Sequence, residues 1–146
     1  FGLFIVIEGI SSAGVIDLIA ELFYKLGGNN PFVLYTAIVV ASVILSAFID
    51  NIPYVATMLP VIQSLAMMMN GGAGADPNVF YFGLLIGATL GGNLTPVGAS
   101  ANITGIGILR KEGHDVSNKD FFKIGIPFTL SAIVPAYILI WILFGV

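Results

Sequence analysis

The chain has no cysteine, so it carries neither a disulfide framework nor a thiolate metal site. Histidine occurs once, as His114, which leaves no histidine pair for a metal or a proton relay. Charge is scarce: 9% of the 146 residues are Asp, Glu, Lys or Arg, where soluble domains carry roughly 25%. Five basic residues cannot form a surface for nucleic acid. With so few charges, the net value of −3 says little about partners. The opening run from Phe1 lacks the charged n-region of a signal peptide. A start at Phe rather than Met leads us to expect that the chain begins inside a longer protein.

What is present is apolar. Hydrophobic residues make up 58% of the chain and mean hydropathy is +1.03. These values predict an all-α integral membrane protein in contact with membrane lipid.

Along the chain, residues 1–26 read as the end of a span followed by an amphipathic interfacial helix. Ser11-Ser12-Ala13-Gly14 separates the two, and Asp17, Glu21 and Lys25 fall at four-residue spacing on one face. Glu8 is a lone acid that either lines a cavity or marks an interfacial depth. Gly27-Gly28-Asn29-Asn30-Pro31 is a loop. Residues 32–69 hold two uncharged apolar runs divided by Asp50-Asn51-Ile52-Pro53, which is turn chemistry. Pro53 lacks an N–H and biases Ile52 away from helix, so one helix is expected to stop near Ile49 and the next to begin near Pro53. A flexible loop then runs from Met69 to Ala75, and Asp76-Pro77 reads as an N-cap with Pro at the first helical position.

Residues 77–109 read as a broken helix. Gly83, Gly87 and Gly91 give one small-residue face for close packing. The stretch from Gly91 to Asn102 is rich in Gly and uncharged polar side chains and contains Pro96, so helix is expected to resume only at Ile103. No charge occurs between Asp76 and Arg110, which places this region at membrane depth. Ser117, with Asp120 three residues on, resembles a capping box. Residues 121–146 form the last span, with Pro127 and Pro135 inside it and Trp141 near its far end, suited to an interfacial belt. Four of the five basic residues lie between Arg110 and Lys123, so the loop 110–123, with its solvated His114, is expected on the cytoplasmic side. Asn93-Leu94-Thr95 and Asn102-Ile103-Thr104 match glycosylation acceptors, but by accident at that depth.

A helix broken inside a membrane exposes free N–H groups at one end, which suit an anion, and free carbonyls at the other, which suit a cation. Two such breaks meeting at the midplane make the substrate and ion site of a secondary transporter. The first break offers Asp50, Asn51, Ile52 and Pro53, with Thr57 one turn on. The second offers Gly91, Gly92, Asn93, Thr95, Pro96, Gly98, Ser100 and Asn102. Oxygen donors dominate, and hard cations prefer oxygen. Asp50, Asn51 and Asn93 are candidate Na+ ligands, and Asp50 could instead carry a proton. Blander roles compete. Gly83 and Gly87 are better explained by packing, Ser100 and Thr104 are as well explained by interhelical contacts, and Asp50 can also cap the second arm. An intramembrane enzyme is not expected, because no His pair, Cys or serine-with-base group lies at depth.

The run from Asp50 to Pro60 resembles the hairpin motif of the ion transporter superfamily. Within it, the branch of arsenite permeases, one type of sodium/proton antiporter and the melanosomal P protein, all with a citrate-transporter-like domain, is the closer match. The run from Gly91 to Asn102 resembles the broken-helix motif of that branch, and Gly113 with Phe121-Phe122-Lys123-Ile124-Gly125 is also similar. The resemblance implies two inverted repeats, each with a re-entrant hairpin and a discontinuous transmembrane helix, of which this chain is the C-terminal repeat. It implies the N-terminal repeat of the same protein as partner, a homodimer, elevator-like movement, and the inner membrane of a bacterium or archaeon. In the dicarboxylate carriers of the superfamily a Ser-Asn-Thr motif holds the hairpin tip. Here Asn51 carries over, while Asp50 and Ile52 replace the Ser and the Thr, which argues against a dicarboxylate.

The expected function is a secondary active transporter of a small inorganic ion or solute. It would use Na+ or H+ as coupling ion and no other cofactor, and be of arsenite permease or sodium–proton antiporter type. A passive channel on the same scaffold, a Na+-coupled carboxylate or anion carrier, and a non-transporting scaffold or sensor are the rivals.

Overall fold

The computed structural model of the chain describes residues 2–69 and 76–145. Among them are seven helices and no strand: α1 (Gly2–Ser12), α2 (Val15–Gly27), α3 (Pro31–Ser46), α4 (Asn51–Met68), α5 (Asn78–Gly91), α6 (Ser100–Lys111) and α7 (Asn118–Phe144). The expected loop 69–75 lies, apart from Met69, outside the described residues.

Local chemistry accounts for most boundaries. Asn30 caps α3, its side-chain oxygen accepting from the N–H groups of Phe32 at 3.0 Å and Val33 at 3.4 Å, with Pro31 in the first turn, where its missing N–H costs nothing. Ser117 caps α7 by accepting from the Asp120 N–H at 3.2 Å, and its Oγ lies 2.6 Å from the Asp120 carboxylate. α5 starts one residue later than expected: Pro77 is its N-cap, and Asp76 accepts from the Asn78 N–H at 3.0 Å.

The turn between α3 and α4 departs from expectation. α3 ends at Ser46, not near Ile49, and α4 begins at Asn51, not at Pro53. Pro53 is the third residue of α4. First-turn N–H groups have no intrahelical partner, so proline there breaks no bond and its restriction of Ile52 is overridden. A second departure is at α6, which starts at Ser100 rather than Ile103. Ser100 and Asn102 are therefore helical, and the non-helical connection is residues 92–99.

α3 and α5 lie side by side and run parallel. A Cβ added at Gly83 would lie 2.7 Å from the Tyr35 ring, one at Gly87 2.6 Å from Ser42 Cβ, and one at Gly91 2.6 Å from the Val43 carbonyl. Helices in lipid gain little from hiding apolar surface and associate through close packing, which this glycine face permits. α7 runs antiparallel to both. Near its C-terminal end the Tyr137 ring stacks on Tyr35 at 4.9 Å, Trp141 meets Phe32 edge-on at 4.8 Å, and the Tyr35 hydroxyl donates to the Tyr137 carbonyl at 2.9 Å. Near the other end, a Cβ on Gly125 would lie 2.7 Å from the Asn93 carbonyl.

α7 is the one described helix long and apolar enough to cross a membrane. The 16 residues of α3 and 14 of α5 are too short for a bilayer core, reaching about 24 and 21 Å. Both run from the Trp141 end of α7 toward Gly125, and stop there. Gly125 is seven residues, or about 10 Å, into α7. Measured along α7, the break therefore lies near the start of the apolar stretch that begins at Ile124, rather than at its centre.

α4 leaves α3 beyond the turn and packs chiefly on α2, with a smaller contact on α5. α2 is amphipathic as its sequence implies. Its buried residues Ile16, Ala20 and Phe23 join the same core as Met58, Ile62 and Leu65 of α4, and the Ser64 hydroxyl donates to Asp17 at 2.7 Å.

Candidate functional site

Four helix ends meet at one level. The C-terminal ends of α3 and α5 arrive in parallel, and the N-terminal ends of α4 and α6 leave from the same place. α3 and α5 bring carbonyls that lack intrahelical partners and a partial negative charge, while α4 and α6 bring free N–H groups and a partial positive charge.

Side chains tie these ends together. The Thr95 hydroxyl donates to the Ala47 carbonyl, and the Thr95 residue is 8% exposed. Asn102, from the first turn of α6, reaches back so that its Nδ2 donates to the Gly92 carbonyl at 2.9 Å and the Thr95 carbonyl at 3.2 Å. The Ser46 hydroxyl faces two acceptors, the Ala88 carbonyl at 2.5 Å and Asn51 Oδ1 at 2.7 Å. Two glycines let the backbones close in. A Cβ at Gly98 would fall 2.6 Å from the Gly92 carbonyl, 2.8 Å from that of Ala47 and 3.0 Å from that of Ser46; one at Gly92 would fall 3.0 Å from the Asn51 amide. Any side chain at Gly98 would thus strike backbone that cannot move aside.

Of the residues singled out in sequence, Asn51, Gly91, Gly92, Thr95, Gly98 and Asn102 come together here. Asp50 sits at the edge, exposed, and accepts only from the N–H of Asn51 at 2.9 Å, a weaker cap than a bond to the second or third helical residue. Ile52 points outward, 72% exposed. Pro53 and Thr57 line a different space of about 500 Å³ that faces α2, and the Thr57 hydroxyl donates back to the Pro53 carbonyl at 2.9 Å. Asn93 lines a cavity of about 630 Å³ between α6 and α7, with Asp115, Asp120 and Phe121 on its wall. Pro96 lines a smaller one of about 300 Å³ beside Val97 and Arg110. Ser100 is exposed, its carbonyl accepting from Thr104 at 2.9 Å.

Ser46, Ala47 and Ala88 were not legible as site residues. Two of them contribute only a carbonyl, which sequence cannot display. Ser46 did leave a signal: Ser42 and Ser46 are four apart in an apolar helix, and so share the face opposite the glycines.

Among the described residues no three His, Cys, Asp or Glu side chains group to hold a metal. The oxygen-rich junction can instead suit a hard monovalent cation, with the Ser46 and Gly92 carbonyls and the Asn51 amide at hand.

A family model described as "Citrate transporter" matches residues 1–146. The chain is 36% identical to an uncharacterised transporter of Mycobacterium tuberculosis over 97% of its own length and 32% of the relative's. It is 30% identical to an uncharacterised transporter of Synechocystis over 97% of its length and 34% of the relative's. It is 35% identical to the P protein of Homo sapiens over 86% of its length and 15% of the relative's. The chain thus spans about a third or less of the length of these relatives. No solved structure gives a significant match.

Proposed function

The chain belongs to the citrate transporter family, a family of membrane transporters rather than enzymes, and from that premise we propose that it supplies half the translocation site of a cation-coupled secondary active transporter. The observation that carries this reading is the meeting of the α3 and α5 C-terminal ends at one oxygen-rich junction, within the length of a spanning helix. Two converging helix C-termini favour a cation, and Asp50 at the rim adds a carboxylate that can bind it or exchange it for a proton. The α3–turn–α4 unit then acts as a re-entrant hairpin, and α5 with α6 as the discontinuous helix of an inverted repeat, completed by a second repeat elsewhere in the full-length protein. The type is that of an arsenite permease or sodium–proton antiporter, in the inner membrane of a bacterium or archaeon, with residues 110–123 on the cytoplasmic side and two copies forming a dimer.

A Na+-coupled carboxylate or anion carrier is the second reading. It is favoured by the N-terminal ends of α4 and α6, whose free N–H groups suit an anion. Asp50, ahead of α4, opposes a dianionic substrate there. The deciding experiment reconstitutes the full-length protein in liposomes and measures flux driven by sodium and pH gradients, with Asp50→Asn alongside. Proton movement against sodium in the wild type, lost in Asp50→Asn, is the expected result. Citrate uptake driven by sodium would bring the second reading forward, and flux indifferent to both gradients and to the substitution would leave a passive channel.

A further inference from the structure

Ser46 is completely buried in the last turn of α3, and its hydroxyl has two neighbours, the Ala88 carbonyl at 2.5 Å and Asn51 Oδ1 at 2.7 Å. A serine hydroxyl has one hydrogen and two lone pairs. The structure turns Asn51 Oδ1 toward Ser46, so that two acceptors compete for that single hydrogen. The Ala88 carbonyl can only accept, and it is short of a donor. It lies in the last turn of α5, where the Gly92 N–H, four residues on, turns to Leu90 instead. The hydrogen of Ser46 therefore belongs to Ala88. Oγ then offers Asn51 only lone pairs, and the amide must present its N–H. A half-turn about the last side-chain bond exchanges the two ends of an amide without changing its shape, so the partner alone decides which end faces which way.

We infer that Ser46 is a positioning residue that locks the Asn51 amide with Nδ2 toward Ser46 and Oδ1 away from it, which makes Asn51 a ligand for a dehydrated alkali cation rather than a donor to an anion. The sign of what the junction binds is thus set one residue back from the junction. Ser46 passes the demand of an α5 carbonyl for a hydrogen-bond donor, through one hydroxyl, to an amide in the first turn of α4. Half-buried Asn51 also borders an open space of about 330 Å³ along α4, walled by Ile52, Val55, Ala56 and Leu59. This inference rests on the cation-coupled reading and deepens it.

The test uses full-length protein and two readouts: sodium-dependent flux in proteoliposomes, and the rise in melting temperature with NaCl over choline chloride in detergent. In Ser46→Ala the amide is free to turn. The half-saturating sodium concentration is expected to rise about tenfold in both assays, the effect of one net hydrogen bond. Maximal flux at saturating sodium should stay close to wild type. Ser46→Thr keeps the hydroxyl and should restore the wild-type sodium dependence. If Ser46→Ala does not fold, Ser46→Cys, a poor donor of similar shape, takes its place against Ser46→Thr. A sodium-dependent wild type whose half-saturation is unchanged in Ser46→Ala or Ser46→Cys overturns the role of Ser46 and leaves cation coupling standing. A wild type that responds to neither sodium nor lithium in either assay overturns both.

Discussion

α5 and α6 flank the same non-helical connection and are of similar length, yet they are packed in opposite ways. In α5, Val79, Phe80, Gly83, Leu84, Gly87, Ala88 and Gly91 are buried. In α6 no residue is buried, and Ile103, Ile108 and Leu109 are exposed. Both helices contain glycine. In α5 the glycines recur every four residues and so fall on one face, against α3. In α6, Gly105 and Gly107 are two apart, face different ways, and have nothing within 4 Å of where a Cβ would stand. Spacing, not glycine content, distinguishes a packing face from an unpacked helix.

The comparison breaks most sharply at Gly91. A Cβ there would lie 2.6 Å from the Val43 carbonyl and 2.7 Å from Val43 Cα, both backbone atoms. Gly91→Ala must push α3 and α5 apart at the junction, and a loss of about 3 kcal/mol, the upper end for overpacking, is expected. Thermal melting of the purified full-length protein in detergent checks this. An unchanged melting temperature would mean that the two helices do not meet so closely.

Asn102 ties the loose helix to the tight one. Its Nδ2 is the donor for the Gly92 and Thr95 carbonyls, both within the connection. Asn102→Ala leaves these carbonyls without that donor, and about 1–3 kcal/mol of stability should go with it. Because Gly92 also borders Asn51, sodium half-saturation should rise as well. A variant as stable as the wild type and with the same sodium dependence would show that α6 is held by something other than this side chain.

These two residues also show how much of the site could be read from sequence. Gly91 stood out through four-residue spacing, a pattern that reports a helix face directly, and the packing followed. Asn102 was recognised as polar in a Gly-rich break, but it was expected outside helix. Three small or polar residues in succession, Ser100, Ala101 and Asn102, resemble a loop, and only the turn back to Gly92 and Thr95 makes them the start of α6. The Asp50–Pro53 turn is legible from Pro53, but the helix start is not fixed by it to the residue: α4 begins at Asn51, with the proline inside its first turn. The list of polar residues in the second break also suggested one cluster. In the structure it is divided, because helix and loop geometry send Asn93 toward α7, Ser100 outward, and Thr95 and Asn102 inward. Direction is a property of the backbone path, and composition does not record it.

The gentlest substitution sharpens the comparison from the other side. Gly105 lies in the middle of α6 with open space around its Cα. If α6 is unpacked at that face in the full-length protein, Gly105→Ala meets nothing and only relieves the entropy that glycine loses in a helix. A gain of about 0.5–1 kcal/mol is then expected, read as a small rise in melting temperature with sodium-dependent flux unchanged. A loss would mean that the full-length protein brings another helix against Gly105, closely enough to exclude one methyl group. In that case the exposed apolar residues of α6 face protein rather than lipid. The difference between α5 and α6 would then be one of partner, one helix packing within this chain and the other on the rest of the transporter.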